Sequence, residues 1–198
     1  MTNPLPTGAT IGILGGGQLG RMLSVAAARL GLRTHIYEPG SNPPAADVAN
    51  AVTTAAYDDA AALTAFAQSV DLVTYEFENI PTEALDIIEA ITPIHPNRRA
   101  LGTSQDRLIE KNFLQDNGLT VAPFADITDV ASLEAAVAAI GTPAILKTRR
   151  FGYDGKGQSR LKSPDDVATA FSDMAGAPAV LEGFVDFSLE ISIIAARN

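Results

Sequence analysis

The sequence contains no cysteine, which excludes disulfides and thiolate metal sites and fits a cytosolic protein. No apolar run approaches the roughly 18 residues that a membrane-spanning helix needs. The opening stretch, MTNPLPTGAT, lacks the basic region and apolar core of a secretory signal, so a cytoplasmic location is expected. Positive charge is scarce as well. Lys and Arg total 14 against 23 Asp and Glu, a net charge of −9. General nucleic-acid binding needs a basic face to displace counterions, and this balance argues against it. A Walker A loop is missing, because no stretch has the G-x-x-x-x-G-K-[ST] spacing. There is no internal repeat and no low-complexity tract beyond alanine-rich helices. With 198 residues and 46% hydrophobic content, the chain can build one large core or two small ones.

The bases that do occur gather at Arg98–Lys111 and Lys147–Lys162, a pattern suited to a small phosphorylated ligand. The central stretch is Ile145–Ser159, ILKTRRFGYDGKGQS. An apolar strand, Ala144–Leu146, delivers Lys147 to the pair Arg149 and Arg150. Gly152, Gly155 and Gly157 then space Tyr153, Asp154 and Lys156. Glycines at this density let successive N–H groups point into one concavity, and the surrounding cations make it a site for a polyanion such as a nucleoside triphosphate. The plainer alternative is a hairpin turn with solvated charges.

Along the chain, strand Thr10–Leu14 runs into GGGQLGRM, where Gly15, Gly17 and Gly20 match G-x-G-x-x-G. Gln18–Leu30 continues as a helix with apolar Leu19, Leu23, Ala26, Ala27 and Leu30. Gly31 ends it before strand Thr34–Tyr37 and Glu38. This βαβ opening, with an acid about twenty residues past the glycines, fits either a dinucleotide site or a tight strand-to-helix turn. After a Pro-rich loop, Val48–Thr54 reads as a short strand, Asp58–Gln68 as a helix and Asp71–Tyr75 as a buried strand. That strand ends in Glu76-Phe77-Glu78-Asn79, carboxylates where parallel strands present functional groups. Helix Thr82–Ala90 and strand Ile91–Ile94 follow, and His95 beyond them reads as structural. Helix Ser104–Asn117 carries Arg107 and Lys111 on one face. Helix Asp129–Ile140, the glycine loop, return strand Gln158–Leu161, helix Pro164–Ala175 and strand Ala179–Glu182 come next. Phe187–Ala195 alternates apolar and polar residues as a half-buried strand does.

The glycine turn GGGQLGRM, the strand end YEFEN, the helix QDRLIEKNF and the loop RRFGYDGKGQ, in this order, resemble the 5-(carboxyamino)imidazole ribonucleotide synthase family, ATP-grasp ligases of purine biosynthesis. The resemblance implies an α/β chain in three parts. Residues 1–103 would form a parallel-sheet, Rossmann-like pre-ATP-grasp domain, and 104–183 a linker helix with the small central α+β domain. Residues 184–198 would be the first strand of a truncated ATP-binding domain. The implied reaction joins bicarbonate to 5-aminoimidazole ribonucleotide at the expense of ATP, through carboxyphosphate. Lys147 and Lys156 would be catalytic. ATP would meet Arg107, Lys147, Gly152, Tyr153, Asp154, Gly155, Lys156, Gly157, Gln158, Glu182, Gly183, Phe184, Val185 and Glu190, with Glu182 at the adenine and Glu190 at the ribose. The aminoimidazole ribonucleotide would meet Gln18, Glu76, Tyr153, Asp154 and Lys156. Family members are longer, and the absent half is where magnesium ligands are expected; none is assigned here. A homodimer is implied, with no turnover from these 198 residues by themselves. Open alternatives are another ATP-grasp ligase, of the formate-dependent glycinamide ribonucleotide transformylase or biotin carboxylase type, and an NAD-dependent oxidoreductase built on the glycine turn and Glu38.

Overall fold

A computed structural model describes residues 4–152 and 156–195. The chain divides into two compact units, residues 1–102 and 103–197.

The first unit is a doubly wound sheet. Strands β1 (Thr10–Leu14), β2 (Arg33–Tyr37), β3 (Ala51–Thr53) and β4 (Leu72–Tyr75) lie in the order β3-β2-β1-β4, all parallel. The mostly apolar runs of β1 (TIGIL) and β4 (LVTY) suit a sheet covered on both faces. On one face, Leu14, Tyr37 and Val73 pack with Leu63 and Phe66 of α2 (Ala60–Gln68) and with Leu85 and Ile88 of α3 (Thr82–Glu89). Asp59 starts α2 by accepting the Ala62 N–H at 2.9 Å. On the other face lie Ile13, Ile36 and Ala45, next to α1 (Gln18–Arg29).

Helix α1 turns small residues, Gly20, Ser24 and Ala27, inward. Leu19, Leu23 and Leu30, read above as part of its apolar set, are 57, 40 and 73% exposed. The reason is proximity, because a Cβ on Gly20 would stand 2.9 Å from the Gly15 carbonyl oxygen. No large side chain fits under a helix that close. The expected strand Ile91–Ile94 reduces to a single parallel bridge between Val73 and Ile94. Pro93 has no N–H to give, and only its carbonyl, accepting from Val73 N at 2.9 Å, joins the sheet.

The helix expected over Ser104–Asn117 is α5 (Arg107–Asp116), and a further helix not foreseen, α4 (Arg98–Ser104), precedes it. Asp106 breaks the run by capping α5, accepting from Leu108 N at 2.9 Å and Ile109 N at 3.3 Å. The second unit then forms an antiparallel sheet, β5-β8-β6-β7, from β5 (Phe124–Ile127), β6 (Ala144–Thr148), β7 (Gln158–Leu161) and β8 (Ala179–Gly183). Strand β5 was not foreseen. One face of the sheet, with Ile127, Ala144, Leu146, Leu161, Ala179 and Leu181, buries against α6 (Val130–Ile140) and α7 (Val167–Asp173). By the alternation of strands, Phe124, Asp126, Ile145, Lys147, Arg160, Val180 and Glu182 share the opposite face.

Phe187–Ala195, expected as a strand, is irregular after β8. Phe187, Leu189, Ile191 and Ile193 are 60–79% exposed. Among the described residues no strand pairs with this segment, so its alternation has no face to bury.

Candidate functional site

Two places collect the residues singled out by the sequence, one in each unit.

In the first unit, β1 and β4 are neighbours while their following elements wind to opposite faces, and at such a switch point a crevice opens at the strand ends. The glycine turn leaves β1 there and Glu76 leaves β4. The Glu76 carboxylate lies inside the turn and accepts the N–H groups of Gly17 and Gly20 through its two oxygens. A Cβ on Gly15 would meet Glu76 Cγ at 2.5 Å, and one on Gly17 would meet Glu76 Oε1 at 2.8 Å. The glycines of the G-x-G-x-x-G are therefore required by a carboxylate of the protein itself. Glu38, the acid of the dinucleotide reading, accepts from Gly16 N and Gly40 N, each at 2.9 Å. Burial, then the charges of Glu38 and Glu76, push the Tyr57 hydroxyl above its ordinary value. A pyrophosphate would find its usual N–H donors occupied and two carboxylates beside them. A cleft of about 410 Å³ opens next to the turn, lined among others by Glu38, Asn42, Glu76 and Phe77. Gln18 is exposed at the first position of α1.

In the second unit, Lys147 on β6 and Lys111 on α5 converge on Glu182 of β8. Lys147 Nζ stands 2.8 Å from Glu182 Oε2, and Lys111 Nζ 3.2 Å from Oε1. Lys111 also lies over the Phe124 ring, 5.6 Å from its centre. Burial alone would raise the Glu182 carboxyl, but Lys147 and then Lys111 hold it below the usual carboxylate range. Both lysines therefore face a fixed negative charge, and the trio keeps one net positive charge on that sheet face.

The glycine loop sits at the same end of β6. Thr148 N donates to the Gly157 carbonyl at 2.8 Å, closing its base. Gly157 has a φ of +67° and leaves a Cβ no room beside Thr148 Oγ1, at 2.5 Å. Arg107, expected at ATP phosphates, binds the loop itself: its Nε donates to the Thr148 carbonyl at 3.1 Å and its Nη2 to the Gly152 carbonyl at 3.0 Å. A guanidinium has five N–H donors, so two such bonds leave others for an anion. Lys156 and Gln158 are exposed on the return side of the loop, Gln158 paired in register with Lys147. Tyr153, Asp154 and Gly155, expected at both ligands, lie outside the described residues. Gly183 N donates to Pro123 O at 2.8 Å, and Arg160 stacks 4.6 Å over the Phe184 ring. Val185 and Glu190 lie on the exposed segment after β8.

Sequence reasoning missed Arg149 and Asp106 as a unit. Arg149 Nε reaches both Asp106 oxygens at 3.0 Å, and Nη2 reaches Oδ2 at 2.8 Å. Arg107 N also donates to the Arg149 carbonyl at 3.0 Å. Together these contacts lock the start of α5 to the end of β6, which fixes Arg107 and Lys111 relative to Lys147. The signal available was a double arginine at a strand end and an aspartate before a helix, which spacing alone does not pair.

Each unit has a counterpart among known protein families. Residues 8–105 match the ribonucleotide synthetase preATP-grasp domain, and residues 112–198 the ATP-grasp domain. An N5-carboxyaminoimidazole ribonucleotide synthase from Brucella melitensis biotype 1 is 52% identical over 196 residues, covering 98% of this chain and 54% of its own. Across nearly its whole length the chain is similar to N5-carboxyaminoimidazole ribonucleotide synthases. It spans about half the length of the curated relatives it matches. The crystal structure of a Staphylococcus aureus N5-carboxyaminoimidazole synthetase complexed with ADP aligns at a TM-score of 0.88 and 37% identity, covering 93% of this chain and 50% of that one. An Aspergillus clavatus synthase, solved with ADP and 5-aminoimidazole ribonucleotide, aligns at 0.82 and 28%, covering 92% and 48%. The two matched domains follow the order of the parallel unit and the antiparallel one.

Proposed function

We propose that the protein carrying this chain is an ATP-dependent carbon–nitrogen ligase. It would carboxylate 5-aminoimidazole ribonucleotide with bicarbonate, giving N5-carboxyaminoimidazole ribonucleotide in de novo purine biosynthesis. The observation that carries this reading is the 52% identity to the Brucella synthase across 98% of the chain, a span that takes in both glycine-rich elements.

A bicarbonate oxygen attacks the γ-phosphorus of ATP, the bond to the bridging oxygen breaks, and ADP leaves. The amine of the ribonucleotide then takes the carboxyl carbon of carboxyphosphate, directly or as carbon dioxide, and loses a proton as phosphate departs. Such chemistry is mostly positioning and charge neutralisation. We assign Lys147, the spare donors of Arg107 and the loop amides of Gly152–Gln158 to the phosphates, with Lys147 and Lys156 closest to the reacting groups. Glu182 to Val185 would hold the adenine and Glu190 the ribose. Gln18, Glu76, Tyr153, Asp154 and Lys156 would face the aminoimidazole ribonucleotide. Among the described residues no group of three or more His, Cys, Asp or Glu is placed to hold a metal ion. The domain assignment 1–103, 104–183 and 184–198 and a cytoplasmic homodimer belong to the same proposal.

Phosphate release by the full-length protein tests it. Turnover should require ATP, bicarbonate and 5-aminoimidazole ribonucleotide together. Phosphate release that ignores both bicarbonate and the ribonucleotide would overturn the assignment.

A further inference from the structure

The contact between Lys111 and Glu182 has no part in the assignments above, although Lys111 is as well buried as Glu182: their side chains are 13 and 12% exposed. Lys147 is the more open partner at 22%. The two lysines also differ in how they are held. Lys111 stands one turn into α5, a helix fixed by the Asp106 cap and the Arg149 ion pair, and its ammonium lies over Phe124. Lys147 stands next to the last residue of β6, at the end of the strand that leads to the glycine loop, and among the described residues no aromatic ring lies beneath its ammonium. Of the two, Lys147 is built to move and Lys111 to stay. Each lysine has its own carboxylate oxygen, so one can leave without disturbing the other.

If Lys147 turns to a phosphate, Glu182 loses its nearer cation while still largely buried. A carboxylate left alone there would either take up a proton or draw Lys147 back. We infer that Lys111 is a positioning residue: it keeps Glu182 ionised and in place, which releases Lys147 to bind a nucleotide phosphate and presents Glu182 Oε2 to an N–H donor of the ligand. This rests on the nucleotide site proposed above. The other charged groups on this sheet face are engaged elsewhere. Asp126 on β5 answers Arg149 at 3.4 Å, and Arg160 on β7 stacks on Phe184. They do not substitute for Lys111.

The test has one arm that needs no nucleotide. The Glu182 carboxyl is followed by carbon-13 NMR as pH is varied in wild type, Lys147→Met and the double variant Lys111→Met/Lys147→Met, with folding checked from the amide spectrum. Glu182 should still titrate below the ordinary carboxylate range in Lys147→Met and above it in the double variant. In the second arm, ATP binding to the full-length protein should weaken about tenfold or more in Lys111→Met, since a buried ionised acceptor then competes for Lys147, and Lys111→Arg should restore it. Should Lys111→Met itself fail to fold, Lys111→Gln carries both arms. A Glu182 titration that rises fully on loss of Lys147 alone, or ATP affinity unchanged in Lys111→Met while Lys147→Met loses it, would overturn the inference. ATP binding indifferent to Lys147→Met would instead overturn the nucleotide assignment, leaving the titration arm to decide the role of Lys111.

Discussion

Glu76 and Glu182 are both acids at strand ends, yet their surroundings set them to different tasks. Glu76 is taken up by two backbone N–H groups of the glycine turn, so its charge is spent on holding the turn closed. The sequence placed this acid near a ligand, which the cleft beside it permits, but its tie to the turn was not legible. That tie depends on Gly15, Gly17 and Gly20 enclosing a side chain 56 to 61 positions away. Glu76→Gln can accept from only one of the two N–H groups and sets an amide N–H against the other. The unit should lose about 1–3 kcal/mol of stability, the range for leaving a buried donor unmatched. Urea unfolding followed by circular dichroism measures it, and an unchanged midpoint would assign Glu76 to the ligand alone. Glu182 differs because one of its two partners, the more exposed Lys147 ammonium, can turn to a ligand while Lys111 stays.

At the scale of elements, the tightest junction is between α5 and β6. Burial alone would raise the Asp106 carboxyl, but the Arg149 pair and the helix-cap hydrogen bonds together hold it below the ordinary range. A depressed folded-state value contributes stability that is complete above the unfolded value, about 3.9, and is lost as pH falls through the lower folded value. Asp106→Asn should therefore flatten the acid limb of the stability curve. Arg149→Ala should cost roughly 2 kcal/mol, below the 3–5 of a fully buried pair because the arginine is partly solvated. An acid limb of the same steepness in Asp106→Asn would show that the pair contributes nothing to folding.

Elements defined by a short apolar run, such as β1, β4 and β6, could be read directly from the sequence. Strand β5 could not, because FADI is too short and too mixed to stand out from loop. Ile91–Ile94 looked like a strand because composition does not register the missing N–H of Pro93. The split between α4 and α5 turns on one capping aspartate inside a helix-favouring stretch. In α1 the periodicity was right but the buried side was not. Contact with β1 selects the smallest residues, and hydrophobicity alone cannot show that.

For the chain as a whole, the exposed segment from Phe187 to Ile194 is the feature least suited to water. Five large apolar side chains, Phe187, Leu189, Ile191, Ile193 and Ile194, are each at least 60% exposed there. Exposed apolar patches of this kind drive association. Sedimentation of the 198-residue chain should show self-association, and Ile191→Lys with Ile193→Lys should reduce it. A wild-type chain that stays monomeric at high concentration would contradict this.

The central claim is that the nucleotide site is the Lys147–Glu182 face of the second sheet and that the glycine turn of the first is closed to dinucleotides. Calorimetric titration of the full-length protein with ATP and with NAD, in wild type and Lys147→Ala, addresses both parts at once. ATP should bind and NAD should not. Lys147→Ala should weaken ATP by about ten- to a hundredfold, the worth of one charge-assisted phosphate contact of roughly 1.5–3 kcal/mol. NAD binding with no ATP binding, or ATP affinity indifferent to Lys147→Ala, would contradict it.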